Sequence, residues 1–153
     1  MSIKQSAGIL LYRFVNGEPE VLLVHPGGPF WAKKDLSAWS IPKGEFTEEE
    51  DALVAARREF KEETGTDISG NFTALKPVKQ KSGKIIYAWA IEGNMDANTI
   101  VSNTFEMEWP PRSGKKQAFP EIDRGEWFGI NEAKEKINAG QLPLIEELMS
   151  TLK

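Results

Sequence analysis

Cysteine is absent from this 153-residue chain, which removes disulfides, thiolate metal sites and cysteine nucleophiles together. Histidine occurs once, at His25, so a multi-histidine zinc site lacks ligands and a Ser-His-Asp triad is a poor fit. No stretch approaches the roughly 18 apolar residues of a membrane span. The opening Met1-Ser2-Ile3-Lys4-Gln5 has no apolar run of the kind a secretory leader carries, so a cytoplasmic protein is expected. A basic excess is also missing: 19 Lys and Arg stand against 23 Asp and Glu, a formal charge of −4. That leaves no global positive field to draw in a nucleic-acid duplex.

What is present is a local concentration of acid. Between Glu45 and Asp67, nine Asp and Glu face three Arg and Lys. Glu59, Glu62 and Glu63 are related as i, i+3 and i+4, so on a helix they share an arc of roughly 100°. Like charges at that spacing repel, and a compensating cation is called for. Ligands that are all oxygen select a hard divalent ion, magnesium or manganese. A second reading of the same residues is a solvated, charge-laced helix in which Arg58 and Glu62 form a surface i,i+4 pair. Ala52, Ala56 and Phe60 mark the buried side of the wheel, and Glu59 and Glu63 adjoin it. Half-buried carboxylates want partners, which favours the cation-binding reading. Glu50 has an explanation of its own, because Thr47-Glu48-Glu49-Glu50 has the form of a capping box with Thr47 at the N-cap.

The pattern along the chain predicts one mixed α/β domain over residues 1–153, long enough to bury a core. Ala7 to Phe14 and Glu20 to Val24 read as strands around the hairpin turn Asn16-Gly17. His25 to Ala38 is a long loop of Gly, Pro and aromatic residues, and loops of that length in compact domains carry function. Trp39 to Ile41 reads as a short strand before the helix from about Glu48 to Thr64, which Gly65 stops. Phe72 to Val78, Lys84 to Glu92, Phe105 to Trp109 and Glu126 to Phe128 are further strands, with Pro110 to Lys116 as a loop. Asn131 to Asn138 and Pro143 to Leu152 read as helices.

Gly44, Glu50, Arg58, Glu59, Phe60, Glu62, Glu63 and Gly65 fall on the spacing of the Nudix box, and the segment resembles that of the Nudix hydrolases. Only Thr66 departs, standing where an aliphatic residue is expected. Seven fixed residues at typical frequencies coincide by chance about once in 10⁸ to 10⁹ placements, so the match is specific. The resemblance implies a mixed β-sheet sandwiched between α-helices, an α/β (α+β) fold, and hydrolysis of a nucleoside diphosphate linked to another group. It implies Mg²⁺, or Mn²⁺, held first by Glu59 and Glu63, with Glu62 a ligand or the general base, and Arg58 orienting a glutamate. Trp39-Ser40-Ile41-Pro42-Lys43-Gly44 looks like the lead-in of dinucleoside polyphosphate hydrolases, which points within the family to nucleoside triphosphates or dinucleoside polyphosphates. Glu121-Ile122-Asp123-Arg124-Gly125-Glu126-Trp127 is similar to a stretch that in some members places a loop glutamate over the metals. Glu121 is therefore a second candidate base, with Glu108 its rival. A non-catalytic nucleotide-binding module is the alternative within the same fold.

Beside the resemblance, the residues suggest substrate contacts. Gly44 lacks a Cβ and admits close backbone approach. Lys43 is either a phosphate contact or a solvated loop lysine. Lys33, Lys34, Arg112, Lys115 and Lys116 lie outside the acidic helix and suit distal phosphates. Trp31, Phe30 and Trp109 could stack on a base, whereas Trp39, Trp89 and Trp127 read as core. His25 reads as structural. The expected partner is a small nucleotide, without a membrane or a nucleic-acid duplex.

Overall fold

A computed structural model describes residues 4–152; the stretch Met1 to Ile3, read above for a leader, lies outside them. Strand β1 (Gln5–Val15) turns at Asn16 and Gly17 into β2 (Glu18–Pro26). Both turn residues have positive φ, 53° and 80°, the requirement of the tight hairpin turn that the Asn-Gly pair predicts. The long loop follows, then β3 (Lys43–Glu45) and helix α1 (Ala52–Thr64). After α1 come β4 (Thr73–Ala74), β5 (Val78–Lys79), β6 (Ile85–Glu92), β7 (Thr104–Glu108), β8 (Lys116–Pro120) and β9 (Ile122–Gly129). Helices α2 (Ile130–Lys136) and α3 (Leu142–Thr151) end the described chain.

One sheet runs β4-β6-β1-β2-β9, with β3 also on β1 and β5 also on β6. Only the β1–β6 pair is parallel, so the sheet is mixed. Strands β7 and β8 form a separate antiparallel hairpin. Side chains of β1 and β2 alternate between two apolar layers. Leu10, Val21 and Leu23 pack with Trp39, Ile137, Leu144 and Leu148 towards α2 and α3, whereas Ile9, Leu11 and Leu22 pack with Ala55, Ala56 and Phe60 of α1. Burial on both faces explains why these strands are apolar at nearly every position rather than at alternate ones. Trp39 is core as expected, and Trp89 and Trp127 pack half-buried against the α1 layer.

Strand β1 has two partners on one edge. Its N-terminal part, Ser6 to Gly8, pairs with β3, and its C-terminal part, Tyr12 to Val15, with β2. Strands β2 and β3 therefore share a neighbour but diverge along it, and the residues between them line a cleft. Gly8 makes the junction possible, because a Cβ there would stand 2.6 Å from the Pro42 carbonyl oxygen and 2.7 Å from Lys43 Cβ.

Several elements differ from the sequence reading. Helix α1 starts four residues later than expected: Asp51, with extended backbone, is its N-cap, and its carboxylate accepts from the Leu53 and Val54 N–H groups. Thr47 to Glu50 instead form a turn closed by the Glu50 N–H on the Thr47 carbonyl at 3.1 Å. Trp39 to Ile41 is not a strand of its own; Ser40 and Trp39 make only isolated bridges, to Val24 and Ile137. The expected Phe72 to Val78 strand splits into β4 and β5, and β8 forms where the pattern predicts only the loop ending at Lys116. The C-terminal stop of α1 is as expected, with Gly65 at φ 79° and its N–H on the Lys61 carbonyl. No helix of the described residues is long and apolar enough to cross a membrane.

The placement of the cap is testable. Asp51→Ala should cost about 1 kcal/mol of stability in chemical denaturation, the usual worth of an N-cap side chain. Thr47→Ala should cost much less, and the reverse order would restore the cap to Thr47.

Candidate active site

Helix α1 carries its glutamates beside its buried face, and a single arginine decides where two of them, Glu59 and Glu62, point. Arg58 binds Glu50 with two parallel bonds, Nε to Oε2 at 2.9 Å and Nη2 to Oε1 at 2.8 Å. Its remaining nitrogen, Nη1, donates to Glu59 at 2.8 Å and reaches Glu62 at 3.3 Å. The planar guanidinium has enough donors for all three carboxylates, which an ammonium would not hold in this fork geometry. These pairs raise the Arg58 pKa further above its ordinary value and lower that of Glu50. The late start of α1 is what frees Glu50 for this task.

Glu63 takes a different partner. Its Oε1 accepts from the Lys43 backbone N–H at 3.0 Å. Next along β3, Gly44 leaves the space that Glu59 occupies: a Cβ at residue 44 would lie 1.8 Å from Glu59 Oε2. The Lys43-Gly44 backbone is therefore held between two carboxylates of the helix. The missing side chain of Gly44 thus admits a close approach, here by Glu59, that any larger residue would block. Burial pushes the Glu63 pKa up to about 8, opposed by the Lys43 N–H and charge and reinforced by Glu59 and Glu121. Glu59 is also raised, by burial first, with Arg58 opposing. Burial lowers the Lys43 amine in turn, and Glu63 is the largest influence that opposes it.

The cleft at the β2–β3 divergence has a volume of about 320 Å³, and its lining includes Trp31, Ser40, Lys43, Glu63, Gln80, Glu121 and Gln141. Trp31 is 38% exposed, with the Lys34 amine 5.0 Å from its ring centroid. Glu121 faces the cleft from the segment joining β8 to β9. Its rival Glu108 is turned away into the β7–β8 hairpin, where it accepts from the Arg112 N–H at 2.6 Å. Phe30 and Trp109 meet each other edge to face at 5.8 Å, outside the cleft lining. Of the loop cations, Lys34 stands against a cleft residue and Lys33 is exposed beside it; Arg112, Lys115 and Lys116 lie exposed on the β7–β8 hairpin.

Glu59, Glu62 and Glu63 thus share a helix edge as the spacing predicts, but among the described residues no three acidic or imidazole groups form a ready cage for a metal ion. The reason is the arginine: Glu59 and Glu62 turn to Arg58, and Glu63 turns to β3. The donor set nevertheless suits a hard divalent cation. It is all oxygen, and Glu63 is half-buried beside further acids, where a cation would replace the proton that its raised pKa retains. Sequence reasoning missed Gln141, whose Oε1 accepts from the Ile41 N–H at 3.0 Å and whose Nε2 donates to Ser40 at 3.0 Å. It is fully buried and fixes the cleft floor from the α2–α3 connection. A lone glutamine before a helix gave no signal of this.

Protonated Glu63 carries a prediction for the metal-free protein. Its folded pKa, about 8, lies above the ordinary 4.5, so the folded state holds the proton more tightly than the unfolded one. The stability this contributes is complete below pH 4.5 and lost as pH rises through 8. In chelator, the melting temperature should fall from pH 4.5 to about 8 and level off above that, and Glu63→Gln should flatten that part of the profile. An unchanged slope in the variant would locate the titration elsewhere.

Comparison with known proteins agrees with this architecture. A family model described as NUDIX domain matches residues 3–148. Solved structures with the same fold include a Caenorhabditis elegans Ap4A hydrolase in a binary complex, 23% identical over 98% of both chains with a TM-score of 0.64. Another is the NUDIX domain of Shewanella oneidensis NrtR complexed with ADP ribose, 17% identical over 100% of this chain and 90% of that one, with a TM-score of 0.67. A MutT from a study of Aliivibrio salmonicida and Vibrio cholerae is 14% identical over 98% of both chains, with a TM-score of 0.59. No curated protein sequence gave a significant match. The family match spans nearly the whole chain and includes a box complete in its Glu and Arg positions, so the protein belongs to the NUDIX family.

Proposed function

We propose that the chain cleaves a phosphoanhydride bond in a nucleoside diphosphate joined to another group, that it requires Mg²⁺ or Mn²⁺, and that its substrate is a nucleoside triphosphate or a dinucleoside polyphosphate. The observation that carries this reading is the gathering of Trp31, Lys43, Glu63 and Glu121 around one cleft. A tryptophan suits a base, a lysine a phosphate, and two acids the handling of cation and proton. The volume lies at the lower end of the range for small-molecule sites. The lead-in Trp39 to Gly44 and the likeness to an Ap4A hydrolase support the choice of substrate class.

The residues divide the work as follows. Glu59 and Glu63, with Glu62, would hold the cation. When bound, the cation supplies charge neutralisation at the phosphates and a more acidic water. Lys43 neutralises part of the phosphate charge at the foot of the cleft. Trp31 offers its half-exposed ring to the base. Glu121 takes the proton from the attacking water, a role its place on the cleft favours over Glu62, which is engaged by Arg58. Arg58 positions the helix carboxylates without facing the cleft itself. Because phosphoryl transfer asks for positioning and charge stabilisation rather than covalent help, this inventory suffices.

The alternative, a nucleotide-binding regulatory module, draws on the NrtR NUDIX domain solved with ADP ribose. Its distinguishing outcome is binding without turnover. A panel of nucleoside triphosphates, dinucleoside polyphosphates and nucleoside diphosphate sugars, assayed with magnesium for phosphate, pyrophosphate and nucleotide products, separates the two. Turnover of at least one phosphoanhydride is expected, and tight binding with no product supports the module instead. Glu121→Gln should lower kcat by about 10²–10⁴, the usual contribution of a general base, while Glu108→Gln leaves it near wild type. The opposite ranking would move the base to the hairpin. Trp31→Ala should raise KM more than it lowers kcat, as for an interaction present in both ground and transition states. A large loss of stability with unchanged KM would return Trp31 to a packing role.

A further inference from the structure

His25 is the chain's single histidine and is fully buried at the end of β2. Its ring joins two segments that each contribute a residue to the cleft lining. Nδ1 lies 2.9 and 3.1 Å from the two carboxylate oxygens of Asp123, two residues beyond Glu121. Nε2 lies 2.6 Å from the carbonyl oxygen of Lys34, in the loop that carries Trp31. Between His25 and Pro26 the β2–β9 ladder is irregular: His25 pairs with Arg124 and Pro26 with Ile122, leaving Asp123 without a cross-strand partner. Such bulges re-aim a side chain, and here the carboxylate is brought onto the imidazole.

Neither a carboxylate nor a carbonyl oxygen has a hydrogen to give, so both ring nitrogens must donate. A neutral imidazole has one N–H and would leave a lone pair facing the other oxygen, a costly arrangement in a buried site. The remaining charged groups around the ring are already engaged. Arg124 lies 3.6 Å from Asp123 and stacks over Trp39 with 5.0 Å to its centroid. Trp39, whose ring meets His25 edge to face at 5.1 Å, donates its indole N–H to Asp35 at 2.8 Å. Asp35 in turn pairs with Lys136.

We propose that His25 and Asp123 are positioning residues of the hydrolytic site: a doubly protonated imidazolium ties the Trp31 loop to the Glu121 segment and thereby sets the separation between the ring that takes the base and the carboxylate that takes the proton. The idea rests on the roles given above to Trp31 and Glu121. It extends them to two residues that touch no substrate. Cutting the tie leaves both groups present but lets their spacing vary, which penalises a substrate that must engage both. Positioning losses of this kind reach about 10²-fold.

Because the histidine is unique, its ring nitrogens can be read individually by ¹⁵N NMR of the intact protein at pH 7. Both should show the shift of protonated nitrogens coupled to their own ring protons; one unprotonated nitrogen overturns the proposal. This measurement needs no turnover, so it stays informative if the hydrolase reading fails. In kinetics, Asp123→Asn should raise KM at least tenfold for the substrate found by the panel, and Asp123→Glu should recover part of the loss. Trp31→Ala combined with Asp123→Asn should raise KM far less than the product of the two single effects, because the tie acts through Trp31. Independent, multiplicative effects would show that the His25–Asp123 pair serves the fold alone and overturn its positioning role. Should Asp123→Asn fold poorly, the same cycle with Asp123→Glu decides the matter.

Discussion

The site depends on one guanidinium. Arg58 holds Glu50 through two bonds and Glu59 and Glu62 through its third nitrogen, and without it the acids of α1 and the preceding turn would repel one another across the helix edge. Its energetic worth as a set of surface pairs is small, about 0–1 kcal/mol each, since the side chain is 39% exposed. Its geometric worth is larger. With Glu59 fixed by Arg58 against Gly44, and Glu63 on the Lys43 N–H, the helix is keyed to β3 at two successive residues. Where β3 lies, relative to β2, then defines the cleft.

The sheet supplies the rest. A strand that pairs with β3 along its first half and β2 along its second leaves a wedge between those partners, and a wedge in a two-layer core has walls from both layers. Glu63 enters from the α1 side, Lys43 from β3, Trp31 from the long loop and Glu121 from the segment before β9. The groups proposed for cation, phosphate, base and proton thus come from four separate parts of the chain. Their spacing is a tertiary property.

That origin explains what the sequence could and could not disclose. The helix, its Gly65 stop, the Asn16-Gly17 hairpin and the apolar strands of both layers are local patterns, and each was legible. So was the box, because its spacing is written within one helix and the loop before it. The N-cap was misplaced because Thr47 to Glu50 satisfies the capping-box pattern equally well as Asp51 satisfies a simple cap. Arg58 decided between them by recruiting Glu50, an interaction between residues eight apart. Strand β8 was missed because its partner, β7, rather than its own composition, makes it a strand. The cleft contacts of Gln141 and the Asp123 tie to His25 join residues about 100 apart in sequence, 100 and 98 in these cases, and no short-range pattern encodes them.

Turnover followed by ³¹P NMR through a cycle of chelation and magnesium return reads the divalent-metal dependence of the site. Excess chelator should stop cleavage of the phosphoanhydride, magnesium should restore it, and Glu63→Gln should respond weakly to both while remaining folded. Undiminished turnover in excess chelator would contradict that dependence.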